Sequence, residues 1–406
     1  MVIRFNKNSI DKEMFFFLAF FCINVCDFIK NIYWIFILGI IMLIIGECRI
    51  QNRVDTNRFW YTLVLLAFAS FSIWNNSAYS SNSTNILKFL VYIIIAILLS
   101  GKTGLSKKCI KYAAFWGYIH VIATWFFFAF PSFYPPYAMS VYGVFPVGTE
   151  YGVKGYTAAL CSHYSANALY LTGCVIALIA LLIDDKKNKK LWCILLIAIG
   201  ALLLSNKRAH VLFLLLSLYI ILCIVYRGKL KKLLDRTIKI LIAGFIGAGI
   251  FSLIMPSLFN VLSRISDGTS GRNVYWLKAI EWYLQKPVLG IGWLQFGKRY
   301  AEFNWGNPMN VHNVYLQVLC ENGIVGFIIF LVMIIYPLYK TVRIYTLGKA
   351  EMDCFLFYSL CAQLFFLLYC FTGNCIYDNT LFYYAIAIGL GLGLHTYYGG
   401  EHPCQD

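Results

Sequence analysis

The chain has 406 residues, of which 60% are hydrophobic and only 13% are charged, and its formal net charge is +16. A soluble globular domain is about half apolar and about a quarter charged, so this composition excludes an ordinary soluble protein. The basic residues gather in loops between apolar runs, so the charge predicts membrane topology and not nucleic-acid binding.

Apolar runs recur along the whole sequence. About 17 to 25 apolar residues cross a bilayer, and about twelve runs approach that length. In chain order they lie at 14–29, 32–46, 59–74, 84–100, 109–130, 164–183, 191–204, 209–226, 240–257, 323–338, 354–371 and 377–394. Backbone polar groups in lipid must be satisfied within the segment, so these runs predict helices. The sequence thus predicts an all-α, polytopic membrane protein, with residues 1–406 forming a single integral membrane domain.

The distribution of lysine and arginine predicts the orientation of the spans. When the N-terminus is placed in the cytoplasm, the inner segments hold most of the 34 basic residues. The richest of these segments are KKNKK at 186–190 and RGKLKKLLDRTIK at 227–239. This asymmetry follows the positive-inside rule and predicts that both termini are cytoplasmic.

Two outer loops are long enough to fold. The smaller covers 131–163, and its Pro, Gly and Tyr content predicts an ordered loop with turns. The larger covers 258–322 and contains SGRNVYWLKAIEWYLQKPVLGIGW, which predicts a short amphipathic helix. We expect Ser270 to cap that helix and Pro287 to end it. Such a helix lies at a membrane interface or roofs a cavity.

Arginines are the first residues on the outer side that could carry chemistry. Arg208 follows LLLS at the end of a span, Arg272 begins the predicted helix, and Arg264 lies in the same loop. Arginines that face a cavity at membrane level suit a phosphate or pyrophosphate, because the guanidinium forms paired hydrogen bonds and stays charged. The alternative is that Arg208 snorkels to the interface and that Arg272 lies in a solvated loop.

His312 is the second such feature. It lies in NPMNVHNVYLQVLCENGIVGF, where polar residues precede a long apolar run. We expect His312 on a short outer helix that Asn322-Gly323 separates from the following span. A lone histidine is most often a structural hydrogen-bonding group, and the same holds for His163 at the end of the smaller loop. For Glu321 the structural interpretation is that it forms a salt bridge.

Several familiar motifs are absent from the sequence. There is no HExxH and no Cys/His cluster, so we expect no bound metal. A GxGxxG fingerprint and a P-loop are also missing, so neither familiar nucleotide site is predicted, and we expect no cofactor. Acidic residues are nearly absent from the spans, which argues against a proton-coupled transporter.

Four stretches occur in an order that is typical of one superfamily. They are HYSANA at 163–168, KRAH at 207–210, an Arg, Trp and PxLGxG series at 272–292, and His-Asn followed by ENGIVG at 312–326. In this order and on the outer face, the chain resembles the O-antigen ligase and polymerase superfamily, most closely its Wzy-type polysaccharide polymerases. The resemblance covers roughly residues 156–330.

The resemblance implies a metal-independent glycosyltransferase of the inner membrane that acts on its outer, periplasmic face. The growing glycan would move from undecaprenyl pyrophosphate to a hydroxyl of the next lipid-linked repeat unit, which builds O-antigen or capsule. Its partners would be the lipid-linked oligosaccharide, membrane lipid and a chain-length co-polymerase, with no nucleic acid. Two alternatives remain open: an O-antigen ligase that transfers glycan to lipid A-core, and a non-enzymatic flippase of lipid-linked glycan.

The resemblance also raises particular residues as site candidates. Arginines around the leaving pyrophosphate would stabilise its charge, and a histidine would take or orient the proton of the acceptor hydroxyl. The predicted catalytic residues are His312, Arg272 and Arg208. The predicted substrate-binding residues are Arg264, Asn313, His163, Lys207 and Glu321, of which Asn313 would position the histidine or the sugar and Glu321 would orient the helix.

Overall fold

The computed structural model describes residues 10–26, 28–29, 56–76, 93–94, 96–97, 103–143, 157–229, 231–239, 242, 272–306, 308–348, 351–377 and 381–399. Within these ranges the protein is all-helical and contains no strand. The helices are α1 Ile10–Val25, α2 Thr56–Asn76, α3 Thr103–Ala129, α4 Tyr134–Tyr142, α5 Tyr164–Asp184, α6 Lys189–Leu204, α7 Arg208–Val225, α8 Arg272–Gln285, α9 Phe296–Phe303, α10 Val314–Thr346, α11 Cys354–Tyr369 and α12 Leu381–Gly399.

Four of the described helices are long and apolar enough to cross a membrane. They are Lys108–Ala129 within α3, together with α5, α7 and α10. Shorter apolar helices occupy parts of α2 and α12 and all of α11. The predicted span at 32–46 lies outside the described residues, and of the predicted spans at 84–100 and 240–257 the structure describes only 93–94, 96–97 and 242. The all-α class is therefore confirmed, and the number of about twelve spans stays a prediction.

The chain divides into two compact units. The first combines Met1–Ile23, Ile32–Ile110 and Thr269–Asp406. The second combines Asn24–Asn31 and Lys111–Gly268. Arg272 and His312 therefore belong to the first unit, and the KRAH motif belongs to the second.

Helix α10 is the centre of the first unit. It packs against α2, α8, α11 and α12, and α11 packs in turn against α12. Aromatic pairs add to this packing: the rings of Phe366 in α11 and Tyr384 in α12 stack with centroids 3.8 Å apart, and Phe20 of α1 meets Phe382 of α12 edge to face at 4.9 Å. Such pairs add specific geometry to the apolar area that they bury.

A small polar cluster joins α10, α11 and α12 inside this unit. The Gln363 side-chain amide donates to the Thr341 hydroxyl at 3.1 Å and to the Ser359 hydroxyl at 2.9 Å. The Ser359 hydroxyl donates to the carbonyl of Ala387 at 2.6 Å. Gly391 lies against the cluster, and a Cβ atom there would be 2.0 Å from Thr341 Oγ1. Close approach at a glycine with polar side chains between helices is typical of membrane helix packing.

The backbone of α10 leaves helical geometry at Gly323, where φ is 61° and ψ is −169°. The segment Pro287–Gly292 fills this break. Its Pro287 carbonyl accepts from Ile324 N at 2.8 Å, and its Gly292 N donates to the Glu321 carbonyl at 2.8 Å. A Cβ atom at Gly323 would lie 2.2 Å from the Val288 carbonyl oxygen, so the segment fits only against glycine. The predicted break at Asn322-Gly323 is confirmed as a kink within one continuous element.

The Glu321 carboxylate completes this junction. It is fully buried, and its oxygens accept from the backbone N–H groups of Leu294 at 3.0 Å and Phe296 at 3.1 Å. The Gln317 side-chain amide donates to the same carboxylate at 3.1 Å. A buried charge is tolerated where hydrogen bonds surround it, so Glu321 holds the start of α9 against α10.

The second unit is built on α5, which packs against α6 and α7. The described start of the smaller predicted loop is ordered, with a short 3₁₀ turn at Pro131–Phe133 followed by α4. The phenol of Tyr134 donates to the Cys161 carbonyl at 3.1 Å, and Tyr137 donates to the Leu160 carbonyl at 2.9 Å. Burial raises the pKa of the Tyr134 phenol, so this donor keeps its proton.

Replacing Gly391 with valine is expected to destabilise the first unit. The new side chain would collide with Thr341 and Ser359, and overpacking of this kind costs about 1–3 kcal/mol. The measurement is unfolding by a denaturing detergent, followed by tryptophan fluorescence. Gly297→Ala is the control, because the nearest atom to its new Cβ would be an ordinary 3.6 Å away. Equal midpoints for both variants would contradict the close packing.

Replacing Glu321 with glutamine is expected to loosen the junction between α9 and α10. One carboxylate oxygen becomes an NH₂ group that faces a backbone N–H, so a buried donor loses its acceptor at a cost of about 1–3 kcal/mol. Limited proteolysis should then cut near residues 287–296 faster than in the wild type. Glu302→Gln, at an exposed position on α9, should leave the cleavage rate unchanged. Resistance to cleavage in Glu321→Gln would show that the carboxylate does not hold this loop.

Candidate functional site

The larger of the two predicted loops has a hydrophobic core in its described part, which belongs to the first unit. Trp282 from α8 packs on Phe296, whose ring stacks on Tyr300 from α9. Burial raises the pKa of the Tyr300 phenol, and the neighbouring Tyr275 raises it further. The predicted helix after Arg272 is confirmed, and it is followed by Pro287 as expected. This core holds α8 in place, so the residues at its N-terminus have fixed positions.

One short turn contacts both of the predicted catalytic residues in this unit. We call the residues Cys370–Cys375 the 370–375 turn. It follows α11, and its Thr372 N and Gly373 N both bind the Tyr369 carbonyl, at 2.9 and 2.8 Å. A Cβ atom at Gly373 would be 2.3 Å from the Tyr369 ring, so the turn requires glycine there. Its Cys370 carbonyl accepts from Val314 N at 2.8 Å, which ties the turn to the start of α10.

Arg272 binds the 370–375 turn from the start of α8. Its Nη1 donates to the Thr372 carbonyl oxygen at 3.0 Å. A carbonyl carries no net charge, so this contact orients the guanidinium without neutralising it. The Thr372 hydroxyl and the Trp276 indole N–H, one helical turn after Arg272, are buried atoms without a hydrogen-bond partner. Buried polar atoms without a partner are uncommon in native proteins.

His312 binds the same turn through Asn374. The backbone N–H of His312 donates to Asn374 Oδ1 at 3.0 Å, and Asn374 Nδ2 lies 3.2 Å from His312 Nδ1. The ring also lies beside Tyr275 of α8, with centroids 6.2 Å apart. Arg272 and His312 are therefore bound to the same turn, and the His312 ring lies beside α8.

The prediction that His312 lies on a short helix is wrong. It is not on a short helix but in the loop before α10, with a left-handed backbone at φ 56°. Such a conformation costs energy in a residue other than glycine, and it is often found at functional sites. Asn313 caps α10, because its Oδ1 accepts from Leu316 N at 3.1 Å. This cap orients the chain on which His312 lies.

The second unit brings together two of the motifs that the sequence singled out. His163 caps α5 by accepting from Ser165 N at 3.1 Å, and its ring stacks on Tyr164 at 4.2 Å. The ammonium group of Lys207 lies 4.0 Å from the centroid of the same Tyr164 ring. Arg208, the first residue of α7, is partly buried. Arg264 and Ser270 lie outside the described residues.

Thr372 and Asn374 were missed by the sequence analysis. They lie in the short connection GNCIYDNT and just before it, which contains no arginine, lysine or histidine that would suit a phosphate. A polar Thr-Gly-Asn series after an apolar helix was the only signal. No group of three or more His, Cys, Asp or Glu residues that could hold a metal ion occurs within the described ranges.

Comparison with protein families gives one match, and no curated protein matches the chain. Residues 193–331 match the family model Wzy_C, described as O-antigen ligase. The matched region includes Arg208, Arg272, His312 and Glu321. The family implies a membrane glycosyltransferase-like enzyme of the O-antigen ligase and polymerase kind. Residues 193–331, about a third of the chain, are therefore similar to the O-antigen ligase family.

Proposed function

We propose that this protein polymerises lipid-linked oligosaccharide repeat units into a surface polysaccharide, either O-antigen or capsule. The growing glycan leaves undecaprenyl pyrophosphate and joins a hydroxyl of the next lipid-linked unit. The observation that carries the proposal is that the 370–375 turn contacts both Arg272 and His312. A fixed cation and an imidazole that are bound to the same turn are suited to a reaction with a charged leaving group.

Arg272 is proposed to stabilise the pyrophosphate leaving group. Negative charge grows on the bridging oxygen as the bond to the sugar breaks, and a guanidinium that is already oriented needs no reorganisation at that moment. The bond from Nη1 to the Thr372 carbonyl supplies this orientation. The buried Thr372 hydroxyl and Trp276 indole N–H are further groups that a bound substrate would satisfy.

Three further site residues that the sequence predicts remain predictions within this proposal. Arg208, Lys207 and His163 belong to the second unit, and the stacked His163 and Tyr164 rings with the Lys207 ammonium offer a surface of a kind that binds sugars and phosphates. We expect the reaction on the outer face of the inner membrane, both termini in the cytoplasm, no metal, and a chain-length co-polymerase as partner. The exposed apolar side chains of α8, such as Leu277 and Leu284, suit contact with lipid or with a prenyl chain.

An O-antigen ligase is the second candidate function. The description of the matched family favours it directly. The same arginine and histidine would serve both reactions, since both release undecaprenyl pyrophosphate, and only the acceptor differs. A flippase receives less support, because the family implies a glycosyltransferase-like enzyme.

The first test is a gel of surface polysaccharide from a strain that lacks the gene. If the protein is a polymerase, the polysaccharide ladder should collapse to a single repeat on its acceptor. A ligase predicts an acceptor without any repeat and an accumulation of long lipid-linked polymer. A flippase predicts that repeat units stay on the inner side of the membrane. An unchanged ladder would refute the proposal for that glycan.

The second test uses variants of Arg272 in that strain. Arg272→Ala is expected to lower the rate of polymer formation about 100-fold or more, because a preorganised donor at a developing charge is removed. Arg272→Lys keeps the charge but loses the planar fork, so we expect an intermediate loss. The measurement is polymer formed per minute by membranes supplied with lipid-linked repeat units. Lys286→Ala, an exposed basic residue after the same helix, is the control. Full activity in Arg272→Ala at normal protein level would remove Arg272 from the site.

A further inference from the structure

The hydrogen bonds around Asn374 determine which nitrogen of His312 carries the proton. The His312 backbone N–H can only donate, so the Asn374 atom that it contacts at 3.0 Å must be the carbonyl oxygen Oδ1. The other end of the same amide, Nδ2, can only donate as well. It faces His312 Nδ1 at 3.2 Å, so Nδ1 must be the acceptor. The two contacts fix the amide and the ring together.

A neutral imidazole has one N–H group and one acceptor nitrogen. Because Nδ1 accepts from Asn374, the proton of the neutral ring is on Nε2. Neither nitrogen of such a ring can then take a proton from a sugar hydroxyl while the contact with Asn374 lasts. The ring can instead donate from Nε2 to an oxygen. This is the reverse of the proton-accepting role that a catalytic histidine often has.

We propose that Asn374 is a positioning residue that holds His312 as a hydrogen-bond donor to a phosphate oxygen of the lipid-linked substrate. The proposal deepens the proposed function and rests on it. His312 and Arg272 then act on the same pyrophosphate, since both are bound to the 370–375 turn. Charge-assisted hydrogen bonds to a phosphate are among the stronger hydrogen bonds in proteins.

The group transfer balances without a basic residue. The acceptor oxygen forms the new bond to the anomeric carbon, and the bond from that carbon to the pyrophosphate oxygen breaks with its electron pair. The hydroxyl proton passes to a pyrophosphate oxygen, which gains basicity as the bond breaks. His312 stabilises the leaving group and is unchanged at the end.

The protonation of His312 can be measured without any activity. Full-length protein in detergent, labelled with ¹⁵N in the histidine rings, gives different nitrogen shifts for protonated and unprotonated ring nitrogens. The His312 signals are those that disappear in His312→Gln. We expect a proton on Nε2 and none on Nδ1 in the wild type, and a proton on Nδ1 in Asn374→Asp, whose carboxylate can only accept. A wild-type ring with its proton on Nδ1 and a bare Nε2 would overturn the proposal.

Two substitutions of His312 separate a donor from a base. The amide NH₂ of glutamine reaches roughly as far as Nε2 and donates, but it cannot accept a proton. Polymer formation by membranes from His312→Gln should therefore exceed that from His312→Ala by about tenfold. Equal losses in both variants, each at normal protein level, would contradict the donor role. The polysaccharide ladder of the deletion strain tests the polymerase function itself. A failure of the donor role of His312 can therefore be told from a failure of the proposed function.

A separate observation concerns Cys370 and Cys375, the first and last residues of the 370–375 turn. Their Sγ atoms lie 3.3 Å apart, and both side chains are buried, with exposed fractions of 0% for Cys370 and 2% for Cys375. A disulfide brings two sulfur atoms to about 2.05 Å, so a small shift would join them. We infer that these thiols form a disulfide when the protein is made, which closes the turn that holds Arg272 and His312.

The oxidation requires an acceptor of two electrons. The two thiols lose two protons and two electrons, which pass to the disulfide of a thiol oxidase outside the cytoplasm and convert it to two thiols. Outer positions support such bonds, whereas cytoplasmic thiols are kept reduced. The turn lies at the same end of α10 as His312, which the proposed function places outside.

The test counts thiols that react with a maleimide in membranes quenched with acid and denatured. The wild type should gain two reactive thiols after reduction, and Cys370→Ser/Cys375→Ser should gain none. Each single variant should also gain none, because its remaining partner is already a thiol. The same count before and after reduction in the wild type would overturn the inference. A gain that persists in the double variant would place the disulfide elsewhere and also overturn it.

Discussion

Backbone hydrogen bonding at the break in α10 is the constraint on which the first unit depends. At Gly323, near the N-terminal end of the long apolar helix α10, the backbone leaves helical geometry. Unsatisfied backbone groups are costly in an apolar environment. The segment Pro287–Gly292 supplies the missing partners through its own backbone, and the Glu321 carboxylate accepts from the N–H groups of Leu294 and Phe296. The break therefore fixes the segment between α8 and α9 in place, and α8 with it.

The 370–375 turn is the second fixed point, and it determines what chemistry the loop can support. It binds the start of α10 through Cys370, the start of α8 through Thr372, and His312 through Asn374. Each of these contacts uses a backbone group or an amide, so the turn orients a cation and an imidazole without adding charge of its own. A neutral frame leaves the positive charge of Arg272 available for an anionic substrate.

The 370–375 turn lies outside the region that matches the family model. Residues 193–331 match the O-antigen ligase family model and contain both Arg272 and His312. Thr372 and Asn374, which hold those side chains, lie beyond the matched region. The two proposed site residues and the residues that position them thus come from different parts of the sequence. The matched region alone would not show whether His312 accepts or donates a proton.

Composition and local pattern were enough to predict an all-helical membrane protein, because backbone groups in lipid must be satisfied within a helix. Few charged residues fall on the predicted outer side, so Arg272 and His312 could be proposed as site residues from the sequence. The helix after Arg272, its end at Pro287 and the break at Gly323 also follow from local rules, since proline and glycine limit a helix wherever they occur. The left-handed conformation of His312 before α10, and its contact with Asn374, became visible only in the folded structure. Those two residues are 62 positions apart, and a contact between distant residues depends on how helices pack, which no local pattern encodes.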